Sequence, residues 1–209
     1  MEEKRSTNFV ELCGICAEAP VLSHENHNER FFTFPLYVER LSGQADLPRI
    51  VVPQTLFQTL AICGGMPLRV TGQLRSFNNK SGEGRRLVIS VFAQTIEPTD
   101  APPCNHITLD GVLCKPPVLR RTPLGRSICD MILAVNRRYG RSDYLPCIAW
   151  GQVAQLVGAM DVGARIALDG RVQSRVYNKQ LPDGTSEERT AYEVSIMQLL
   201  SCDGGMLDA

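Results

Sequence analysis

A chain of 209 residues has room for one large domain or for two of about 100 residues each. Its 22 basic and 22 acidic side chains cancel, and 44% hydrophobic against 21% charged residues is the balance of an ordinary soluble globular protein. The apolar runs are far too short to cross a bilayer. The polar start, "MEEKRSTNF", lacks the apolar core of a secretory signal, so no membrane partner and a cytoplasmic location are expected.

The first feature along the chain is Cys13-Gly-Ile-Cys16. Its C-x-x-C spacing suits a metal or redox site, yet no second pair follows at a zinc-like distance. On a strand, positions 13 and 16 face opposite ways and cannot grip one ion. Small buried hydrophobes are the better reading, and no cofactor is expected.

The sequence then repeats itself. Asn8, Leu12, Gly14, Pro20, Val21 and Leu22 return as Asn105, Leu109, Gly111, Pro117, Val118 and Leu119, each 97 residues on. Val38 returns as Val135 and, after a one-residue slip, Pro48 as Pro146 and Gly72 as Gly170. Between the copies, "EPTDAPPCN" has the proline content of a short linker. A unit this long is a duplicated domain rather than a solenoid repeat. Two domains, 1–100 and 104–209, are expected.

Each copy reads as strands. In the second, Ile107 and Leu109, then Cys129, Met131, Leu133 and Val135, recur with period two. A third strand covers Tyr144 to Ala149, and "GQVAQLVGAM" follows as a short helical stretch. Strand four runs from Ala164 to Tyr177 and strand five from Ala191 to Leu199. The loop "NKQLPDGTSEER" joins them and would hold Glu187 and Glu188 in solvent. The first copy repeats the order, with its hairpin at "NNKSGEG". Five short strands with a helix between the third and fourth predict an all-β chain of two tandem OB-folds, small Greek-key barrels.

The passage "LAVNRRYGRSDYLPCIAWG" stands apart in a neutral chain, because arginines interleave with rings and Trp150 is the single tryptophan. On a strand, Tyr144, Ile148 and Trp150 share one face, with Leu145, Cys147 and Ala149 on the other. On strand four, Arg171, Gln173, Arg175 and Tyr177 alternate with Val172, Ser174 and Val176. One side is core and the other collects guanidinium groups and flat rings. From Asn105 to Gln180, 11 Lys/Arg face five acids, a basic stripe hidden inside a neutral total. Unstacked bases offer a π-face to aromatic rings, and arginines meet the phosphates or stack themselves. This is the composition of a single-strand groove.

The second copy, "NHITLDGVLCKPPVLRRTPLGRSICDMILAVNRRYG" followed by "YLPCIAWG", resembles the bacterial single-stranded DNA-binding (SSB) protein family nearly throughout. The ordered set carries the resemblance: Asn105, Pro117, the turn at Arg121–Gly125, "LAVNRR", "AWG" and Gly170–Arg171. It implies base stacking by Tyr139, Tyr144, Trp150 and Tyr177, and backbone contacts from Arg121, Arg137, Arg138 and Arg175. The basic stripe adds Arg141 and Arg171. Four barrels are common in the family, so a homodimer is expected.

Copy one departs from this pattern. It has Leu41, Ser42, Gln44 and Val52 where copy two has Arg138, Tyr139, Arg141 and Trp150. Arg75, Phe77, Arg85 and Arg86 remain to extend a path for the strand. The family's acidic tail, which recruits replication and repair proteins, has no counterpart in "SCDGGMLDA".

The three histidines are scattered, and the sequence has no catalytic triad, P-loop or dinucleotide fingerprint, so an enzyme is not expected. Non-catalytic binding of single-stranded DNA is the leading expectation. A primosome-type or mobile-element adaptor, or single-stranded RNA binding, stands as the alternative.

Overall fold

The computed structural model describes residues 7–79, 87–137, 140–180 and 184–202. The first half runs β1 (Asn8–Cys16), β2 (Val21–Asn26), β3 (Glu29–Glu39), β4 (Ala45–Asp46), β5 (Arg49–Pro53), α1 (Gln54–Leu60), β6 (Pro67–Asn78) and β7 (Leu87–Pro98). The second runs β8 (Cys104–Leu113), β9 (Val118–Arg121), β10 (Ser127–Asn136), β11 (Ser142–Trp150), α2 (Gly151–Gly158), β12 (Arg165–Gln180) and β13 (Ser186–Cys202). Apart from the two-residue β4, the element order of one half is that of the other.

Alternation builds the core. Ile107, Leu109, Cys129, Met131, Leu133 and Val135 are all buried, as their spacing predicts. Burying a side chain of this size contributes about 1.5–3 kcal/mol. Each half closes on itself, β1 meeting β3 at Ile15–Tyr37 and β8 meeting β10 at Leu113–Leu133. The third and last strands of each barrel run parallel, β5 beside β7 and β11 beside β13, and the other pairings are antiparallel. The chain is all-β, two OB-folds in tandem.

The two barrels share one sheet, in the order β2-β3-β5-β7-β6-β1-β8-β12-β13-β11-β10-β9. That order is palindromic. At its centre β1 and β8 pair antiparallel, and Val10 faces Ile107, its own counterpart 97 residues on. Phe9–Thr108 and Glu11–His106 are exchanged around that pair, so the halves relate as a two-fold dimer would, within one chain.

The repeated residues now have physical reasons. Asn8 sits at the start of β1, where its side-chain amide donates to Leu74 O at 2.7 Å and accepts from Leu74 N at 2.8 Å. Asn105 does the same for Val172, at 2.7 and 2.9 Å. Gly72 and Gly170 lie at irregularities in the β6–β7 and β12–β13 ladders. A Cβ there would stand 2.1 Å from Phe92 O and 2.5 Å from Ser195 O, so only glycine lets the strands approach.

Two sequence expectations change. Glu187 and Glu188 belong to β13 rather than to a loop, because the β12–β13 ladder continues to Gln180 opposite Ser186. Ile148 shares parity with Tyr144 and Trp150 but is buried. It lies mid-strand, where β10 (Asp130) and β13 (Ser195) flank it on both sides.

Candidate nucleic-acid interface

β11 carries the two rings that sequence placed on its outer face. Leu145, Cys147 and Ala149 anchor the strand in the core, leaving Tyr144 50% and Trp150 42% exposed. A ring so placed is fixed at its root and open on a face. Gly151, with φ near +60°, turns the chain from β11 into α2 directly after Trp150. In copy one the corresponding positions are Val52, fully buried, and Pro53.

β12 supplies a second group. Tyr177 is 37% exposed, and the guanidinium carbon of Arg175 stands 5.9 Å from its ring centroid, a cation–π arrangement. Arg175 also lines a cleft of about 460 Å³ whose other wall is Arg40, Gln44 and Ala45 of the first half. Among the described residues, Arg121, Arg141 and Arg175 are exposed and form no ion pair with a carboxylate. Arg171 is half-buried, and its Nε meets no acceptor. Arg138, Tyr139, Arg85 and Arg86 lie outside the described residues.

Arg137 and Arg75 sit differently from the sequence expectation. Asp143 is fully buried, and Arg137 grips it bidentately through Nε and Nη2. The same guanidinium donates to Ser76 O of the first half at 3.0 Å. Arg75 reaches the shared carboxylate at 3.2 Å, and Ser76 N donates to it as well. Burial, then the neighbouring Arg137, pushes the Arg75 guanidinium down from its usual range. Two cations on one anion leave a single positive charge at this seam. Tyr144 is beside it, its backbone N–H donating to Ser76 Oγ at 2.7 Å. Phe77, 55% exposed, is the next residue on β6.

The opposite seam repeats the device. Fully buried Asp46 accepts from Arg40 Nε at 2.7 Å and from Ser174 N, across the halves, at 2.8 Å. Its hydrogen bond to Asp46 is the main reason the Arg40 pKa is raised. Asp46 and Asp143 stand 97 residues apart, so the repeat itself carried the signal that sequence reasoning missed.

Several rings of the first half pack on one another. His24 stacks on Phe31 with centroids 4.8 Å apart, and Phe32 stacks on Phe57 at 4.3 Å. Tyr37 and Phe77 are the exposed Tyr and Phe rings among the described residues of this half.

Residues 104–200 match the Single-strand binding protein family. The second half of the chain is thus similar to that family. A single-stranded DNA-binding protein of Oceanobacillus iheyensis is 31% identical over 107 residues, which cover 48% of this chain and 65% of that one. Single-stranded DNA-binding protein A of Bacillus subtilis is 35% identical over 83 residues, 36% of this chain and 48% of that one. The matched segment thus spans about half to two-thirds of these curated relatives. The fold of the whole chain is similar to that of the wild-type single-stranded DNA binding protein from Thermus aquaticus. The TM-score is 0.74 and the identity 22%, over 97% of this chain and 96% of that one.

Proposed function

We propose that the chain binds single-stranded DNA without catalysis, chiefly through its second domain, with the domains dividing between residues 1–100 and 104–209. The observation that carries this reading is β11, whose core-anchored backbone holds Tyr144 and Trp150 open to stacking. Arg121, Arg141, Arg171 and Arg175 serve the backbone, and Tyr177 with Arg175 forms a second stacking point. Arg138 and Tyr139 join them from the same stretch of sequence. Arg75 and Arg137 contribute their shared positive charge while holding the seam. Phe77, Arg85 and Arg86 extend the path onto the first half. The family match supports the same ligand.

Titration with oligo(dT) at increasing salt tests it. Log Kd is expected to change linearly with log salt, by about 0.7 per phosphate neutralised, with duplex DNA binding far more weakly. A flat salt response, or equal affinity for duplex, refutes the groove. An oligo(rU) competitor that displaces oligo(dT) at equal concentration would make the ligand RNA as much as DNA.

Two chains supply the four barrels common in the family. Light scattering is expected to give about 46 kDa, twice the 23.1 kDa chain, as for a two-fold dimer. A monomer that binds oligo(dT) at full affinity would show that the second chain is dispensable.

A further inference from the structure

The C-x-x-C spacing directs attention to the wrong partner. Along β1, alternation sends Cys16 into the core, where its thiol donates to Glu18 O at 3.1 Å. Cys13 lies on the outer face with Glu11. Its neighbour across the junction is Cys104, the first residue of β8 and the last register pair of the β1–β8 ladder. Directly opposed residues on antiparallel strands share a face, with Cα atoms about 4.5–5.5 Å apart. Disulfides span Cα separations of about 4.4–6.8 Å, so this pair can close with little backbone movement. We propose that Cys13 and Cys104 form a reversible disulfide that fastens the first barrel to the second.

Local surroundings define how it forms. Cys13 is buried and Cys104 half-buried, so a small reagent enters from the Cys104 side. A low-molecular-weight disulfide supplies the oxidant. The Cys104 thiolate attacks one of its sulfurs, its S–S bond breaks, and the released thiolate takes a proton as the first small thiol. The Cys13 thiolate then attacks the Cys104 sulfur and expels the second. Two protein thiols are oxidised and one small disulfide is reduced to two thiols.

Burial raises the pKa of both cysteines. Glu11 on β1 and Glu97 on β7 raise that of Cys13 further, while Arg69 on β6 opposes them. Closure is therefore slow at neutral pH and quickens as pH rises, since the thiolate is the nucleophile. The place related to this pair by the internal two-fold holds Thr7 and Asp110, so the link forms at one end of the junction only.

The test incubates the full chain with oxidised glutathione at pH 7 and pH 9, blocks remaining thiols, digests without reduction and maps the peptides by mass spectrometry. The expected product joins the Cys13 and Cys104 peptides, forms several-fold faster at pH 9, and is reversed by dithiothreitol. It raises the melting temperature by about 5 °C, since the bond closes a long loop of the unfolded chain. Cys104→Ser, at a half-buried position outside the core, should fold normally and show neither the product nor the shift. A Cys13–Cys16 link in its place, a link only between chains, or Cys13 recovered fully blocked would overturn the proposal.

Discussion

Asp143→Ala is expected to destabilise the folded chain by about 3–5 kcal/mol, the usual loss when one partner of a buried ion pair is removed. Asp143 is fully buried and accepts from Arg137, Arg75 and Ser76 N, so its removal strands two half-buried guanidinium groups and an N–H. Arg137→Ala is the converse, leaving a buried carboxylate with only Arg75 to neutralise it. The double variant should lose less than the two singles added together, because only Arg75 is then left without its carboxylate. Urea denaturation of the four proteins measures this directly. A loss below about 1 kcal/mol in both single variants would mean that solvent screens the pair as it does an ordinary surface bridge. Asp46→Ala should behave alike at the other seam, since it loses Arg40 and Ser174 N.

These seams mark the boundary of what the sequence makes legible. Period-two alternation and a 97-residue offset were enough to predict two barrels, because both are local properties of the chain. Asn8 with Asn105, and Gly72 with Gly170, could be recognised as repeats, but their reasons are contacts between strands. The exposed rings of Tyr144 and Trp150 were predictable because their strand neighbours Leu145, Cys147 and Ala149 are apolar. The fate of Arg137 was not. A free arginine and one held by a buried aspartate look alike in sequence, and here Ser76 and Arg75 come from the other half. Ile148 failed for a related reason, since parity assigns a face but not whether neighbouring strands cover it. The segment carrying Glu187 and Glu188 looks like a loop in sequence because its residues are polar. In an exposed ladder, polar side chains are no obstacle to pairing.

Replacing Trp150 and Tyr144 together by alanine is expected to weaken oligo(dT) binding more than about 30-fold. Each stacked aromatic contributes about 1–3 kcal/mol, and 1.4 kcal/mol is a tenfold change in Kd. Both rings are about half exposed on a strand whose anchor residues are untouched, so the variant should keep its fold, which its melting temperature verifies. Trp150 is the only tryptophan, so fluorescence reports on that ring alone. Oligo(dT) should quench it in the unaltered chain, and high salt should reverse the quenching in step with release. Phe77→Ala should cost less than Tyr177→Ala, because Tyr177 carries the Arg175 guanidinium beside its ring. Arg141→Ala should instead reduce the salt dependence by about 0.7 in the log–log slope and weaken all base compositions alike, as loss of one phosphate contact does. If Trp150 fluorescence is unchanged at saturating oligo(dT), and the double variant binds as tightly as the unaltered chain, the strand runs elsewhere and β11 is not its platform.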